Sequence, residues 1–160
     1  MKVLVTGGAG FIGSHVTVKL LDAGHDVIVY DDLSRGFREL VDDRADFVLA
    51  SLHDQLRLRE ALRGTDAVVH MAGFIIVPES VEHPEMYYQN NVEGSRSLLE
   101  AMEATGVRRI VFSSSATVYG EPDAVPLTED APIKEAANPY GQTKIDVEAL
   151  LHEAHARSGL

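Results

Sequence analysis

A tyrosine and a lysine stand four residues apart in Pro139-Tyr140-Gly141-Gln142-Thr143-Lys144. Residues at i and i+4 share one face of a helix. Asn138 suits the cap of such a helix and Pro139 its first turn. A phenol near its free pKa is a poor base at neutral pH, and an ammonium close by stabilises the phenolate and lowers that pKa. The pair can therefore serve as a general acid or base built on a tyrosine. Tyr and Lys at this spacing also occur as ordinary surface neighbours, so the elements that would position them decide the reading.

The chain opens with a β-branched run, Lys2-Val3-Leu4-Val5-Thr6, that reads as a strand buried on both faces. Gly7-Gly8-Ala9-Gly10-Phe11-Ile12-Gly13 follows directly. Ser14 to Ala23 then reads as a helix with Val16, Leu20 and Leu21 on one face and Gly24 as its stop. Asp26 to Tyr30 reads as a second strand, closed by Asp31-Asp32. In such a β-α-β unit one glycine permits the tight turn, a second lets a pyrophosphate approach the backbone, and a third lets the helix pack on the strand. The helix start offers free N–H groups and the positive end of its dipole to phosphates. Gly7, Gly10 and Gly13 occupy those places, and Asp31 is placed to accept hydrogen bonds from adenosine ribose hydroxyls. An acid there also repels a 2′-phosphate, which favours NAD over NADP, although Arg35 nearby keeps NADP open. The plain alternative is a glycine turn beside a solvated loop acid.

Bulk properties agree with one globular domain. The chain has 160 residues, a hydrophobic fraction of 45% and a charged fraction of 24%, enough for a real core. Its formal net charge of −11 argues against nucleic acid or an anionic membrane surface as partner. There is no cysteine, hence no disulfide framework and no thiolate metal site. No apolar run is long enough to span a membrane, and Thr6-Gly7-Gly8 interrupts any signal-peptide core. A cytoplasmic protein is expected. His152 and His155 lack an evident third ligand, so no metal is expected.

Further along, Asp46 to Leu49 reads as a third strand, Asp54 to Leu62 as a helix stopped by Gly64, and Val68 onward as a fourth strand. Pro84 to Thr105 reads as one long helix with Val92, Leu99 and Met102 on its apolar face. Val107 to Phe112 reads as a fifth strand. Glu121 to Ala137 is an acidic loop punctuated by Pro122, Pro126 and Pro132, and could cover a substrate. A last helix runs from Asn138 to about His155, with Val147, Leu150, Leu151 and Ala154 at helical spacing. The expected fold class is α/β: a doubly wound parallel Rossmann sheet of five strands ordered 3-2-1-4-5, with residues 1–160 as one dinucleotide-binding domain.

Five stretches kept in order carry a resemblance. They are the glycine turn, Val68-Val69-His70-Met71-Ala72-Gly73, Tyr87-Tyr88-Gln89-Asn90-Asn91-Val92-Glu93-Gly94, Phe112-Ser113-Ser114-Ser115-Ala116-Thr117-Val118-Tyr119-Gly120, and Pro139 to Lys144. Together they resemble the extended short-chain dehydrogenase/reductase family, nearest to UDP-glucose 4-epimerase and related nucleotide-sugar epimerases. The resemblance implies NAD as cofactor and a UDP-sugar as substrate. It implies Tyr140 as the proton-transferring tyrosine, Lys144 as the lysine on the nicotinamide ribose, Ser115 as a hydrogen-bonding partner of the sugar O4, and Thr117 as its helper. It adds Phe11, Ile12, Asp32, Ser51, Leu52, Met71, Ala72, Gly73, Asn90 and Ser113 to the cofactor contacts, beside Tyr140 and Lys144. Related dehydratases usually carry an Asp-Glu pair where this chain has Ala116 and Thr117, which favours epimerisation.

Three departures shape the expectations. Ser51 stands where the family usually has an adenine-binding aspartate. Ile75 stands where many epimerases place a phosphate-binding lysine, and Phe74 to Val77 reads as a hydrophobic wall or contact surface. Members of the family are also about twice as long, so the resemblance implies an N-terminal portion, with the C-terminal sugar-nucleotide domain outside these residues. Little turnover is expected of such a portion alone. A NAD-binding or redox-sensing module without turnover, or another nucleotide-sugar enzyme such as a dehydratase, decarboxylase or reductase, remain open readings. A homodimer is expected, with Leu99 or Leu151 near its interface.

Overall fold

The computed structural model describes all residues 1–160. Five strands form one parallel sheet: β1 (Lys2–Thr6), β2 (Asp26–Asp31), β3 (Asp46–Leu49), β4 (Ala67–His70) and β5 (Ile110–Phe112), ordered β3-β2-β1-β4-β5. The helices are α1 (Phe11–Asp22), α2 (Gln55–Leu62), α3 (Val77–Glu82), α4 (Pro84–Tyr87), α5 (Gly94–Thr105) and α6 (Pro139–Ser158). The expected sheet class and strand order are therefore observed.

Side chains alternate across a strand, and β1 divides its residues accordingly. Leu4 joins Ile28, Tyr30, Val68, Leu58, Leu62, Leu98 and Met102 in the larger core, beneath α2, α5 and α6. Val3 and Val5 join Val27, Val29 and Val41 on the opposite side, with Leu20 and Leu21 of α1 packed against them. Leu4, Leu58, Leu62 and Leu98 are wholly buried, and each such leucine is worth about 2 kcal/mol of transfer free energy. These cores fix the register, which pairs Thr6 with Tyr30 and His70, Asp31 with Leu49, and His70 with Phe112. All five strands thus end along one edge of the sheet, and the loops leaving them converge there.

Caps follow the sequence. Asp54 accepts from Arg57 N–H at the start of α2, and Asn138 Oδ1 accepts from Gly141 N–H at 2.8 Å at the start of α6, with Pro139 in its first turn. α1 begins three residues earlier than its apolar pattern predicts, at Phe11.

Other expectations are corrected. The single helix from Pro84 to Thr105 is instead α4, a π-helical stretch at Tyr88–Glu93, and α5. The apolar stretch at Phe74 to Val77 does form a wall, since Phe74, Ile75 and Ile76 line the cavity at the strand ends, but its last residue also opens a further helix, α3, with Pro78 in its first turn. β5 is shorter than Val107 to Phe112, because Val107 N–H closes the end of α5 on the Met102 carbonyl instead of joining the sheet. Leu99 is 5% exposed and belongs to the larger core, so it is not free to form an interface, while Leu151 packs against the same core. A short 3-10 turn at Ala116–Tyr119 follows β5. The acidic loop from 121 to 137 is exposed along most of its length.

Candidate active site

A cavity of about 830 Å³ runs along the carboxyl ends of the strands. All sixteen residues expected to touch a cofactor line it: Gly7, Gly10, Phe11, Ile12, Gly13, Asp31, Asp32, Ser51, Leu52, Met71, Ala72, Gly73, Asn90, Ser113, Tyr140 and Lys144. They come from every strand end, the start of α1, the π-helical stretch at Asn90 and α6, and the sheet register brings the strand ends together.

The glycine turn is built by backbone necessity. Gly7 has φ of 69°, a left-handed conformation that disfavours side chains, and a Cβ there would lie 2.6 Å from Ala72 N. A Cβ on Gly13 would overlap the Gly7 carbonyl oxygen. Gly10 caps α1 without any side-chain hydrogen bond, and the first turn of α1 carries no acid. The opening N–H groups of a helix have no intrahelical partners, so this end is left to an anion. The turn fits a pyrophosphate.

Asp31 holds this turn to the loop after β2. Its Oδ2 accepts from Ala9 N–H at 3.0 Å and its Oδ1 from Leu33 N–H at 2.8 Å. Burial raises its carboxyl above the ordinary value, and the two N–H bonds oppose that shift. Ser51 keeps its hydroxyl in a local turn, accepting from His53 N–H at 3.3 Å, and its carbonyl accepts from the Tyr30 hydroxyl at 2.9 Å.

At the other end of the cavity, Tyr140 and Lys144 are both buried. They share the inner face of α6, as their spacing predicts. The Lys144 ammonium donates to the Ser113 carbonyl at 2.8 Å and lies 4.8 Å from the Phe112 ring centre and 5.8 Å from that of Tyr140. Burial brings its pKa down to about 8, with Glu148 pulling the other way. Ser115 and Thr117 do not line the cavity wall. They stand on the 3-10 turn against the start of α6, where a Cβ on Gly141 would meet Thr117 at 3.4 Å. Ser115 Oγ accepts from Thr117 Oγ1 at 3.0 Å and from Thr117 N–H at 3.3 Å. With two bonds accepted, its own proton is free to donate outward.

Sequence reasoning passed over a buried network behind the cavity. Ser95 Oγ donates to the Asn91 carbonyl, so it accepts from His70 Nε2, 2.8 Å away. His70 Nδ1 then accepts from the Thr6 hydroxyl at 2.6 Å. Burial, with the Lys144 charge, lowers the His70 pKa to about 3 and keeps the ring neutral, as this tautomer requires. The Asn91 side chain accepts from Phe74 N–H at 2.7 Å and donates to the Phe74 carbonyl at 3.0 Å and to Thr143 Oγ1 at 3.1 Å. The one available signal was His70, a polar residue set between Val69 and Met71; Asn91 and Ser95 lie in a polar stretch that gives no such sign. No group of three or more His, Cys, Asp or Glu side chains could hold a metal ion.

A parallel sheet of this order, with a glycine turn after its first strand and a buried Tyr–Lys pair on the helix after its fifth, defines a Rossmann-type dinucleotide-binding fold equipped for proton transfer. The chain belongs to the NAD dependent epimerase/dehydratase family, whose sequence profile matches residues 3–160. It is 48% identical over 162 residues to a UDP-glucose 4-epimerase of Streptomyces lividans, covering 99% of this chain and 49% of that protein. It is 46% identical over 168 residues to a UDP-glucose 4-epimerase of Bacillus subtilis, covering 97% and 48%. The crystal structure of UDP-glucose 4-epimerase from Brucella ovis in complex with NAD superposes with a TM-score of 0.95 at 43% identity, over 99% of this chain and 49% of that one. The Stenotrophomonas maltophila enzyme, with bound NAD and formylated UDP-arabinopyranose, gives 0.93 at 42% identity, over 98% and 49%. The chain thus spans about half the length of the curated relatives it matches.

Proposed function

We propose that residues 1–160 act as one NAD-binding domain carrying the proton-transfer residues of a nucleotide-sugar 4-epimerase of the UDP-glucose/UDP-galactose type. The observation that carries this reading is that Tyr140 and Lys144 share one cavity with the glycine turn and Asp31, in a chain of this family. When bound, the nicotinamide supplies a hydride acceptor and donor at the sugar C4. The residues do the rest. Tyr140 takes the proton of the C4 hydroxyl as the 4-keto sugar forms, and returns it after the sugar has turned its other face. Ser115, with its free hydroxyl proton, holds the sugar O4, and Thr117 fixes that hydroxyl by two bonds. Lys144 holds the nicotinamide ribose. Ala116 and Thr117 leave no Asp-Glu pair for eliminating water.

NAD is favoured over NADP because Asp31 faces the ribose end. The relatives' names supply the UDP-sugar class, and the open carboxyl edge supplies the place. A cytoplasmic setting accords with a cysteine-free chain in which no helix is long and apolar enough to cross a membrane. A homodimer completes the proposal. The test is twofold: calorimetric titration of the purified chain with NAD, and UDP-glucose/UDP-galactose interconversion. NAD binding with little or no turnover by these residues, and turnover by a longer protein containing them that collapses in Tyr140→Phe, is the expected result. Undiminished turnover in Tyr140→Phe rejects the assignment.

A binding module without turnover is the second reading. It is favoured by Ser115 and Thr117 standing off the wall of the cavity that joins the glycine turn, Asp31, Tyr140 and Lys144.

A further inference from the structure

Two side chains meet across the mouth of the cavity from loops far apart in sequence. Arg35 leaves the loop after β2, and Glu79 sits in the first turn of α3, which follows β4. Their Nη2 and Oε1 atoms are 2.7 Å apart, and both residues line the cavity. β2 and β4 flank β1 in the sheet, and the glycine turn stands at the end of β1 between them.

Each partner is held in place by its own loop. Asp31 and Asp32 accept from Leu33 and Ser34 N–H just before Arg35. Just after it, Phe37 N–H donates to the Ala9 carbonyl at 3.0 Å, and a Cβ on Gly36 would come within 2.9 Å of Ala9 Cβ. On the other side, Glu79 Oε2 accepts from the buried Tyr87 hydroxyl at 2.7 Å; burial first, and this bond second, push the Tyr87 pKa up to about 12. The Arg35 guanidinium lies 4.8 Å over the Phe74 ring, whose edge meets Tyr87. The bridge therefore has two anchored ends and a platform beneath it.

A dinucleotide reaching from Asp31 and Ser51 to Tyr140 and Lys144 has to pass over the glycine turn, between these two loops. We infer that the Arg35–Glu79 ion pair is a clasp over that passage, which must open for the cofactor to enter or leave and so sets its exchange rate. The inference rests on the dinucleotide reading above. The pair is partly exposed, with side chains 47% and 24% accessible. It is therefore weak enough to open on its own and sensitive to salt.

The experiment is stopped-flow release of NADH from the purified chain, displaced by excess NAD and read by nicotinamide fluorescence. Wild type, Arg35→Gln, Glu79→Gln and the double variant are compared. Gln at 79 keeps an oxygen for Tyr87, and thermal melts confirm that each variant is folded. Each single variant is expected to release NADH about two- to fivefold faster, and the double variant no faster than either single one. Added salt is expected to speed release from wild type and to leave the variants unchanged. Unchanged release in both single variants overturns the clasp, and so do additive effects in the double variant. Faster release in Arg35→Gln alone also overturns it, by assigning Arg35 directly to the ligand. Absence of any NADH binding by wild type overturns the dinucleotide reading itself and the clasp with it, a result distinct from binding with unaltered rates.

Discussion

The Lys144 ammonium is bonded to the Ser113 carbonyl oxygen, 2.8 Å away, and makes no hydrogen bond to the Tyr140 hydroxyl. α6 is thereby tied to the end of β5 through its lysine. A charged lysine pays for this position with lost hydration, which is why its pKa falls from 10.5 to about 8.

That shift predicts a stability effect with a definite sign. Below about pH 8 both folded and unfolded Lys144 are protonated, and the full cost of burying the charge is present. Between about 8 and 10.5 the unfolded chain binds more protons, so stability rises with pH. Above that window both states are neutral and the cost is gone. Lys144→Met keeps the stem and removes the charge. Its unfolding free energy and melting temperature are expected to exceed wild type at pH 7, and the free-energy difference is expected to shrink across the window by up to about 3 kcal/mol. Thermal melts of both proteins at matched pH check this; a difference independent of pH rejects it.

Asp31 is expected to combine two duties. Each of its oxygens accepts one backbone N–H, from Ala9 and Leu33. Asp31→Ala removes both acceptors and is expected to cost about 1–3 kcal/mol of stability. It is also expected to weaken NAD and narrow the gap to NADP, because the repulsion toward a 2′-phosphate is gone. Titration of both cofactors into both proteins is the check, and preference for NADP by the unaltered chain overturns this reading.

The legible parts of the molecule were those written in local periodicity. The β-α alternation, the glycine turn, the Asn138 cap and the shared face of Tyr140 and Lys144 each occupy one short stretch. What stayed hidden depends on partners distant in sequence. Leu99 and Val111 sit in similar apolar runs, yet α5 spends Leu99 on the core while β5 leaves Val111 64% exposed. The apolar stretch from Phe74 to Val77 gives no sign that a helix, α3, begins at its last residue, because Ile75, Ile76 and Val77 show no helical period before Pro78. The π stretch is invisible for a different reason. Tyr88 to Glu93 holds no Gly or Pro to break the helical pattern, so nothing local separates it from α4 and α5.

Asn91 gives a third prediction. It satisfies both backbone groups of Phe74 and binds Thr143, whose hydroxyl donates to the Tyr140 carbonyl at 2.7 Å. Asn91→Leu fills the same space and orphans those groups, so a loss of about 2–4 kcal/mol is expected from urea unfolding. Asn90→Ala serves as the control. Asn90 is only half-buried and makes one bond, to Asn91 itself, so its loss is expected to stay below 1 kcal/mol or so. Equal losses in the two variants reject the assigned role.

Self-association supplies the last prediction. β5 pairs with β4 on one side only, and an unpaired strand edge is a template for another chain. Val111 is exposed beside a groove of about 450 Å³ lined by Met1, Val3, Leu20, Val69 and Leu160. The helices offer less, since the apolar stripe of α5 lies in the core and Ala149 on the outer side of α6 is small and exposed. A homodimer joined at β5 is therefore expected, closed by a two-fold axis. Arg108 and Arg109 are exposed and guard only the start of the strand. Because Val111 points outward, Val111→Lys leaves the core intact and is expected to return the protein to a monomer. Ala149→Glu is expected to leave the dimer whole. Sedimentation equilibrium decides between them. A mass of 17.4 kDa for the unaltered chain at high concentration rejects the dimer, and dissociation by Ala149→Glu with a stable Val111→Lys dimer moves the interface to the helices.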